Sequence, residues 1–427
     1  MDILEKVRKA EEKLHCTAFI PDRIGTEKRF ISVKDNLCVK GMPAQAGSKI
    51  LEGYVPPFSA TAIERLQKKG FGVCAKTVMD EFGFGTFNVN TFKIPKNPHD
   101  KERSTGGSSG GGAALCAETG IPGIVESTGG SITAPAAFCG VVGVTPTWGL
   151  ISRRGLIDYA SSMDKIGTVS TTVREAFELV HIMAGPDGMD STCQEKKNEE
   201  KPLKKKVALP RELWEKTDSK TRRQAQLSVS ALEKEGIEVL DISLKMTEES
   251  IYAYYLLAMC EASMNLAKFC GLRYGQQPPF APEESYEDYF SKVRASFGTE
   301  AKRRLLLGSF ARTSGYRGKY YEKAAKVRTL VIQELKRFLN QFDVFLTPSM
   351  PCVAPKFSEI KKLTPLEHYS MDVCTVAWNL AGLPHASVPF GNVESLPVGV
   401  QVIGDHFAEN TVQYYSEMIE RNAPKKN

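Results

Sequence analysis

Two glycine- and serine-rich loops constrain this 427-residue chain more than any other feature of its sequence. The first loop, GGSSGGG, spans residues 106–112, and the second, TGGS, spans residues 128–131. Between them the sequence predicts a helix of small residues at 112–118, followed by a short apolar run at 121–125. Glycine has no Cβ atom, so the backbone of such loops can approach a neighbouring group closely. We therefore expect both loops to be sites of close backbone contact.

Outside this region, short apolar runs alternate with amphipathic segments, a rhythm typical of an α/β fold. Strands are predicted at residues 30–33, 71–75, 207–209, 344–346, 385–388 and 398–403. Further helices are predicted at residues 61–69, 219–234, 248–269, 285–295 and 320–338. Ser59 is the expected N-cap of the helix at 61–69, and Gly70 its stop.

The order of these elements favours a single domain over residues 1–427. The motifs of the core fall at 30–190, and a helix-rich middle section follows at about 219–340. Because strands return after that section, we expect residues 343–421 to rejoin the first sheet. A charged segment at 194–206 is interrupted by glutamates, which favours a surface connection over a basic binding patch.

Composition excludes several classes of protein. The chain is 42% hydrophobic and 25% charged, as in ordinary globular proteins. Its net charge of +6 neither requires nor excludes a nucleic-acid partner. The ten cysteines form no C-x-x-C pair, which argues against a zinc site or a disulfide framework. There is no long apolar run, and the acidic, helix-patterned N-terminus does not resemble a transit peptide, so we expect a cytoplasmic protein without a membrane anchor.

Ser131 is the candidate nucleophile. It follows a Gly-Gly pair after an apolar run, and the backbone N–H groups of Thr128, Gly129 and Gly130 could turn toward one oxygen atom as an oxyanion hole. A tight turn beside a helix remains the alternative. Ser108 lies in a G-x-S-x-G pattern, but residues 94–104 contain two prolines and several charges instead of the strand that a nucleophile elbow requires. A phosphate-binding loop is excluded because no Lys-Ser or Lys-Thr follows the glycines.

Lys34 is the candidate base. None of the six histidines has a local relation to either serine loop, so a Ser-His-Asp arrangement has no support in the sequence. Lys34 ends the apolar run FISV, where burial would favour its neutral form. A pKa near 7 instead of about 10.4 would require strong desolvation, which adjacent Asp35 would oppose if its side chain pointed inward. A surface ion pair is the alternative for such a lysine.

Several motifs occur together in an order that resembles the amidase signature family. They are VKDN at 33–36, MDEFGFGT at 79–86, GGSSGG at 106–111, TGGSITAPAAFCGVVGVTPTWG at 128–149, AWNLAGLP at 377–384 and GVQVIG at 399–404. The resemblance implies one large α/β domain, with a central mixed β-sheet covered by helices on both faces. It also implies a Ser-Ser-Lys mechanism with Ser131 as nucleophile, Ser108 as bridging serine and Lys34 as base. No metal is required.

Within that family, residues 301–330 resemble the A subunits of tRNA-dependent amidotransferases. The resemblance implies a glutaminase that works with separate B and C subunits and supplies ammonia for converting Glu-tRNA(Gln) to Gln-tRNA(Gln). It implies no cofactor in this chain, with ATP and Mg²⁺ at the B subunit, which would also make most contacts with the misacylated tRNA. By motif, glutamine would be held by Arg304, Asp372 and one tyrosine of the Tyr254–Tyr255 pair, which we take to be Tyr254. Arginine can fork onto an α-carboxylate, and aspartate can accept from an α-ammonium group.

The chain departs from the family pattern at three positions. The interval between Ser108 and Ser131 is one residue short, and an acid and an arginine expected around TGGS are missing. We hypothesise that Ser127 and Thr133 replace them as a hydrogen-bonded pair. Phe87 stands where a small polar residue is expected to line the pocket. These departures leave two alternatives open, a stand-alone amidase of small or acyl amides and a structural subunit without activity.

Overall fold

One mixed sheet of eleven strands organises the computed structural model, which describes residues 2–195 and 202–424. The strands are β1 (Thr17–Phe19), β2 (Arg29–Lys34), β3 (Phe71–Thr77), β4 (Gly123–Ser127), β5 (Val142–Thr145), β6 (Lys165–Ser170), β7 (Lys206–Pro210), β8 (Glu238–Ile242), β9 (Val344–Pro348), β10 (His385–Val393) and β11 (Leu396–Ile403). Their order in the sheet is β1-β3-β2-β4-β6-β5-β10-β11-β9-β7-β8. The strands that follow the helix-rich section thus lie in the same sheet as the first ones.

Fifteen α-helices surround this sheet in the described parts of the chain. They are α1 (Ile3–Leu14), α2 (Thr61–Lys68), α3 (Gly110–Thr119), α4 (Thr133–Cys139), α5 (Val173–Met183), α6 (Arg211–Glu215), α7 (Ser219–Lys234), α8 (Thr247–Asn265), α9 (Tyr286–Arg294), α10 (Thr299–Arg312), α11 (Tyr321–Leu339), α12 (Phe357–Ile360), α13 (Pro365–Ser370), α14 (Val376–Leu380) and α15 (Glu409–Asn422). None of these helices has the length and apolar character needed to cross a membrane.

Alternate residues of the central strands pack into different hydrophobic clusters, so the sheet is covered on both faces. In β9, Val344 and Leu346 join a cluster with α2, α5, α7 and α15, whereas Phe345 joins one with α8, α10 and α11. In β4, Ile124 and Val125 separate in the same way, and Val125 packs with α1, α3 and α4. This follows from the two-residue period of a strand, which sends successive side chains to opposite faces.

The candidate residues meet at one edge of the sheet because β2 pairs in parallel with both β3 and β4. Lys34 is the last residue of β2, and Ser127, the last residue of β4, leads directly into the TGGS loop. Ser108 precedes α3, and Ser131 precedes α4. The carboxyl ends of neighbouring parallel strands point to the same edge, where α/β folds place their ligands.

Most of the predicted helices and strands are present in the structure, with some differences at their ends. Ser59 is not the N-cap of α2: the helix begins at Thr61 as predicted, Ala60 occupies the N-cap position, and the Ser59 Oγ accepts a hydrogen bond from the backbone N–H of Lys40 at 3.0 Å. The predicted helix at 248–269 ends at Asn265 and continues as a 3₁₀ turn. Residues 196–201 of the predicted surface connection lie outside the described residues.

Helix α10 was not predicted from the sequence, although it carries Arg304. Its apolar residues do not fall on one face, since Leu306 and Phe310 are 72% and 49% exposed. Helix α10 packs instead through Gly308, whose missing side chain lets the backbone meet the Met259 carbonyl oxygen of α8. A helix without an apolar stripe lacks the periodic signal on which prediction depends.

We predict that Gly308→Ala destabilises the protein, although helix propensity alone favours alanine by up to about 1 kcal/mol. The new Cβ atom would collide with the backbone of Met259 and push α10 away from α8. We expect the free energy of unfolding, measured by urea denaturation, to fall by about 1–3 kcal/mol. The control is Ser309→Ala on the exposed side of α10, which should change it by less than about 0.5 kcal/mol. Equal stability of the two variants would contradict the proposed packing.

Candidate active site

Lys34 and Ser108 are in direct hydrogen-bond contact. The Lys34 Nζ lies 2.8 Å from the Ser108 Oγ, and both side chains are completely buried. The Lys34 Nζ also donates to the backbone oxygen of Glu126 at 2.9 Å. The peptide bond between Gly107 and Ser108 is cis. A base and a hydroxyl at this distance can exchange a proton directly.

The pKa of Lys34 is lowered because burial penalises the charged ammonium form, an effect partly offset by the carboxylate of Glu126. The Glu126 Oε2 lies 3.0 Å from the Lys34 Nζ. Asp35, the acid expected from the sequence to oppose burial, does not face Lys34. Its carboxylate lies 3.8 Å from the Lys76 Nζ and accepts from the backbone of Gln45 and Gly47. The negative charge that opposes the effect of burial on the pKa of Lys34 therefore comes from Glu126 of β4.

The TGGS loop offers unpaired backbone donors next to Ser131. None of the described residues accepts a hydrogen bond from the backbone N–H groups of Gly129, Gly130 or Ser131. Side chains pack closely on both glycines, because a Cβ atom at Gly129 would collide with the Tyr254 hydroxyl and one at Gly130 would lie 2.7 Å from the Thr375 Oγ1. Buried N–H groups without a partner can stabilise a negative oxygen atom.

The two serine loops are joined, and a small pocket opens beside them. The backbone N–H of Ser109 donates to the Ser131 carbonyl oxygen at 3.2 Å. The pocket is lined by Gly83, Gly85, Thr86, Gly107, Gly130, Ser131, Tyr254, Tyr255, Arg304 and Asp372. Ser131 thus shares one pocket with all three residues predicted to hold the substrate, and no histidine of the described chain lines it.

Arg304 forms the cationic side of this pocket. Its guanidinium lies 5.1 Å from the ring centre of Phe84 and 5.4 Å from that of Tyr255, and its Nε donates to Glu300 at 2.8 Å. Burial alone would lower the pKa of Arg304, but Glu300 and the neighbouring phenols outweigh it and raise the pKa. Within the described residues, Glu300 is its one hydrogen-bond partner, which leaves both Nη groups available for a ligand.

Asp372 forms the anionic side. Its Oδ2 accepts hydrogen bonds from the Tyr255 hydroxyl at 2.5 Å and the Thr86 hydroxyl at 3.2 Å. Burial raises the pKa of Asp372 to about 6, although these hydrogen bonds and Arg304 act in the opposite direction. Asp372 is therefore largely ionised at neutral pH. A pocket with a fixed cation, an anion and a serine hydroxyl suits a zwitterionic amide.

The comparison with known families agrees with the geometry. The sequence profile of the family described as Amidase matches residues 30–412, which is most of the chain. The chain belongs to the amidase family. Three known proteins make the relation more specific.

The A subunit of glutamyl-tRNA(Gln) amidotransferase from Archaeoglobus fulgidus is 43% identical to this amidase, over 98% of the chain and 94% of the relative. The protein of the same name from Persephonella marina is 42% identical, over 96% of the chain and 85% of the relative. The crystal structure of the corresponding A subunit from Thermotoga maritima superposes with a TM-score of 0.85 at 34% identity. That superposition covers 99% of the chain and 91% of the Thermotoga chain.

Two expectations about departures from the family pattern are wrong. Ser127 and Thr133 do not pair: the Ser127 Oγ donates to the Gly129 carbonyl oxygen and the Thr133 Oγ1 to the Gln401 side chain, each at 3.3 Å. They end up apart because one closes a strand and the other begins a helix. Phe87 does not line the pocket but packs in an apolar cluster with Phe138 and Met350.

Several residues in and around the amidase pocket were not predicted from the sequence. Glu126 and Asp164 are both buried and face the Thr128 hydroxyl. Thr86 lines the pocket and, together with Tyr255 of the predicted tyrosine pair, orients Asp372. Glu126 had the clearest available signal, because a glutamate that directly follows the apolar run at 121–125 is exceptional in a buried strand.

We predict that Gly129→Ala reduces the reaction of Ser131 with a fluorophosphonate by at least about 100-fold. The new methyl group would collide with the Tyr254 hydroxyl and displace the backbone donors of the loop. Mass spectrometry of the labelled protein measures the rate. The control is Gly318→Ala at an exposed turn, which should label at the unchanged rate. Rapid labelling of the Gly129→Ala variant would show that the loop does not depend on this close contact.

Proposed function

We propose that the chain is the A subunit of a glutamyl-tRNA(Gln) amidotransferase and hydrolyses glutamine to release ammonia. The observation that carries this proposal is the shared pocket, in which Ser131 lies with Arg304 and Asp372. Similarity to the A subunits of that name from Archaeoglobus fulgidus and Persephonella marina supports it. The two charges match the α-carboxylate and α-ammonium groups of an amino acid.

Substrate recognition rests on these two charges. The Nη groups of Arg304 donate to the α-carboxylate, and Asp372 accepts from the α-ammonium group. Tyr254 contributes its hydroxyl, which lies 2.9 Å from the Tyr159 hydroxyl and close to Gly129. Because both ends of the amino acid are held, the side-chain amide is directed toward Ser131. An amide without these charged groups would bind less well.

The reaction begins with proton transfer through Ser108. Neutral Lys34 takes the proton of Ser108, which in turn takes the proton of Ser131 as its Oγ attacks the amide carbon. The backbone N–H groups of Thr128, Gly129, Gly130 and Ser131 stabilise the negative oxygen of the tetrahedral intermediate. A positioned acid-base group of this kind contributes about 10²- to 10⁴-fold to the rate.

The same relay then works in reverse. As the C–N bond breaks, Ser108 returns a proton to the leaving nitrogen, and ammonia departs from an acyl-enzyme on Ser131. Water attacks the acyl-enzyme with Lys34 again as the base, which releases glutamate and restores Ser131. Every step uses side chains and backbone groups of this chain, and the cycle consumes one water molecule and one glutamine.

The proposed partner subunits follow from the use of the ammonia that this chain releases. We assign the binding of ATP and Mg²⁺ and most tRNA contacts to a B subunit, and we include a C subunit in a cytoplasmic heterotrimer. Ammonia released at Ser131 then amidates Glu-tRNA(Gln) at the B subunit. The net charge of +6 is consistent with a subunit that does not itself carry most of the RNA contacts.

The purified chain, combined with its partners, should hydrolyse glutamine. With B and C subunits, ATP and Glu-tRNA(Gln), we expect Gln-tRNA(Gln) to form and glutamate to accumulate. Ser131→Ala should lower glutamine hydrolysis by about 10⁴-fold or more. Added ammonium chloride should restore tRNA amidation by that variant, because only the ammonia supply is lost.

Two outcomes would favour the alternatives. Rapid hydrolysis of varied acyl amides by the isolated chain, without a preference for glutamine, would identify a stand-alone amidase. Absence of a Ser131 adduct after incubation with 6-diazo-5-oxonorleucine, in the presence of the partners, would identify a structural subunit without activity. The Ser309→Ala variant, altered far from Ser131 on the exposed side of α10, controls for the quality of the preparations.

Glutamine binding should weaken at acid pH because of Asp372. Burial raises the pKa of this carboxyl to about 6, so it loses its charge as the pH falls through that value and no longer attracts the α-ammonium group. In the Ser131→Ala background, calorimetry should show the Kd for glutamine rising about tenfold per pH unit below pH 6. Asp372→Asn in the same background should bind weakly at every pH. A constant Kd from pH 5 to 8 would contradict the role of Asp372.

A further inference from the structure

Glu126 occupies a position that the Ser-Ser-Lys mechanism does not explain. Its side chain is 2% exposed in the all-buried strand β4, and its Oε2 lies 3.0 Å from the Lys34 Nζ. The same oxygen accepts from the Asn36 Nδ2 at 3.1 Å. Its other oxygen, Oε1, accepts from the Thr128 hydroxyl at 2.8 Å. A buried acid with this many polar contacts is held in one orientation.

Lys34 has three polar contacts, which satisfy both of its protonation states. They are the Ser108 Oγ, the Glu126 backbone oxygen and the Glu126 Oε2. A neutral amine donates two hydrogens to Glu126 and directs its lone pair at the Ser108 hydroxyl. An ammonium group donates three hydrogens to the same atoms. Glu126 supplies two of these contacts, so it keeps the amine directed at Ser108 throughout proton transfer.

A second buried acid, Asp164, shares the Thr128 hydroxyl with Glu126. The Thr128 Oγ1 lies 2.8 Å from the Glu126 Oε1 and 2.7 Å from the Asp164 Oδ1. One hydroxyl has one proton, so both contacts are hydrogen bonds only if one of the two acids is protonated. Burial, together with the charge of Glu126, raises the pKa of Asp164 above its ordinary value. The Thr128 hydroxyl thus links one oxygen of Glu126 to Asp164, while the other oxygen of Glu126 faces Lys34.

We propose that Glu126 is a positioning residue of the proton relay, which orients Lys34 toward Ser108 and places a carboxylate beside its amine. Besides Glu126, the acids that face Lys34 are Asp80 and Asp164, and neither makes a hydrogen bond to its Nζ. Burial favours the neutral amine and Glu126 favours the ammonium form. This inference rests on the proposed role of Ser131 as nucleophile.

The test is the pH dependence of Ser131 labelling by a fluorophosphonate, measured by mass spectrometry on the full chain. Labelling requires neutral Lys34, so its rate rises with pH through the pKa of Lys34. Glu126→Gln removes the negative charge that stabilises the ammonium form, so the rise should move to lower pH by about 1–3 pH units. The maximal rate should fall about tenfold or more, because the amine loses its orientation and becomes a weaker base.

Glu118→Gln is the matched control, since it makes the same chemical change at an acid paired with Lys13 near the surface. It should reproduce the wild-type pH profile. Glu126→Asp keeps the negative charge but moves it away from the Lys34 amine, so this variant should be labelled at least about tenfold more slowly than the wild type. Its labelling rate should increase with pH over a range nearer to that of the wild type than the range of Glu126→Gln. If Glu126→Gln fails to fold by circular dichroism, Glu126→Asp decides the question.

The outcomes separate this inference from the proposed function. A wild-type protein that is not labelled at Ser131 at any pH would overturn the proposed mechanism itself. A labelled wild-type protein, together with a folded Glu126→Gln variant of unchanged rate and pH profile, would overturn only the role of Glu126. Labelling of Glu126→Asp at the wild-type rate would overturn it as well.

Discussion

The active site depends on a lysine side chain that is enclosed by protein at the end of a strand. Transfer of an ammonium group from water to such a place is unfavourable, so burial pushes Lys34 toward the neutral form. That form can accept a proton from Ser108, 2.8 Å away. The rest of the site supplies polar contacts that make this burial tolerable. Glu126 provides two of them and partly offsets the effect of burial on the pKa.

The positions of the two pocket charges, Arg304 and Asp372, depend on helix packing. Arg304 lies on α10 and Tyr255 on α8, and the two helices approach closely at Gly308, one turn beyond Arg304. Asp372 comes from a third part of the chain and is oriented by Tyr255 and Thr86. The pocket is thus assembled from segments of the middle and C-terminal sections around the serine loops of the first section.

The local motifs of the sequence indicated the candidate residues more clearly than their charged neighbours. Lys34, Ser108 and Ser131 lie in local motifs, and the apolar run before Lys34 indicated its burial. Glu126 was missed as the partner of Lys34, because a strand buried on both faces shows no alternation to reveal which side chain points where. Helix α10 was missed because it packs through a glycine and exposes Leu306 and Phe310. The expected pairing of Ser127 with Thr133 was wrong for a related reason, since nearness in sequence did not give nearness in space.

The sequence by itself determined the local conformations and the reactive groups: glycines that permit close backbone contact, strands that carry Lys34 and Glu126 into the interior, and two serines that precede helices. Only the tertiary structure decided which acid faces the lysine. The parallel register of β2 and β4 pairs Ser32 with Gly123 and Val33 with Ile124. The Lys34 Nζ then reaches the carboxylate of Glu126, two residues beyond Ile124, at 3.0 Å, whereas the Asp35 carboxylate lies 3.8 Å from the Lys76 Nζ. Strand register is a long-range property, because it depends on how separate segments bury their side chains together.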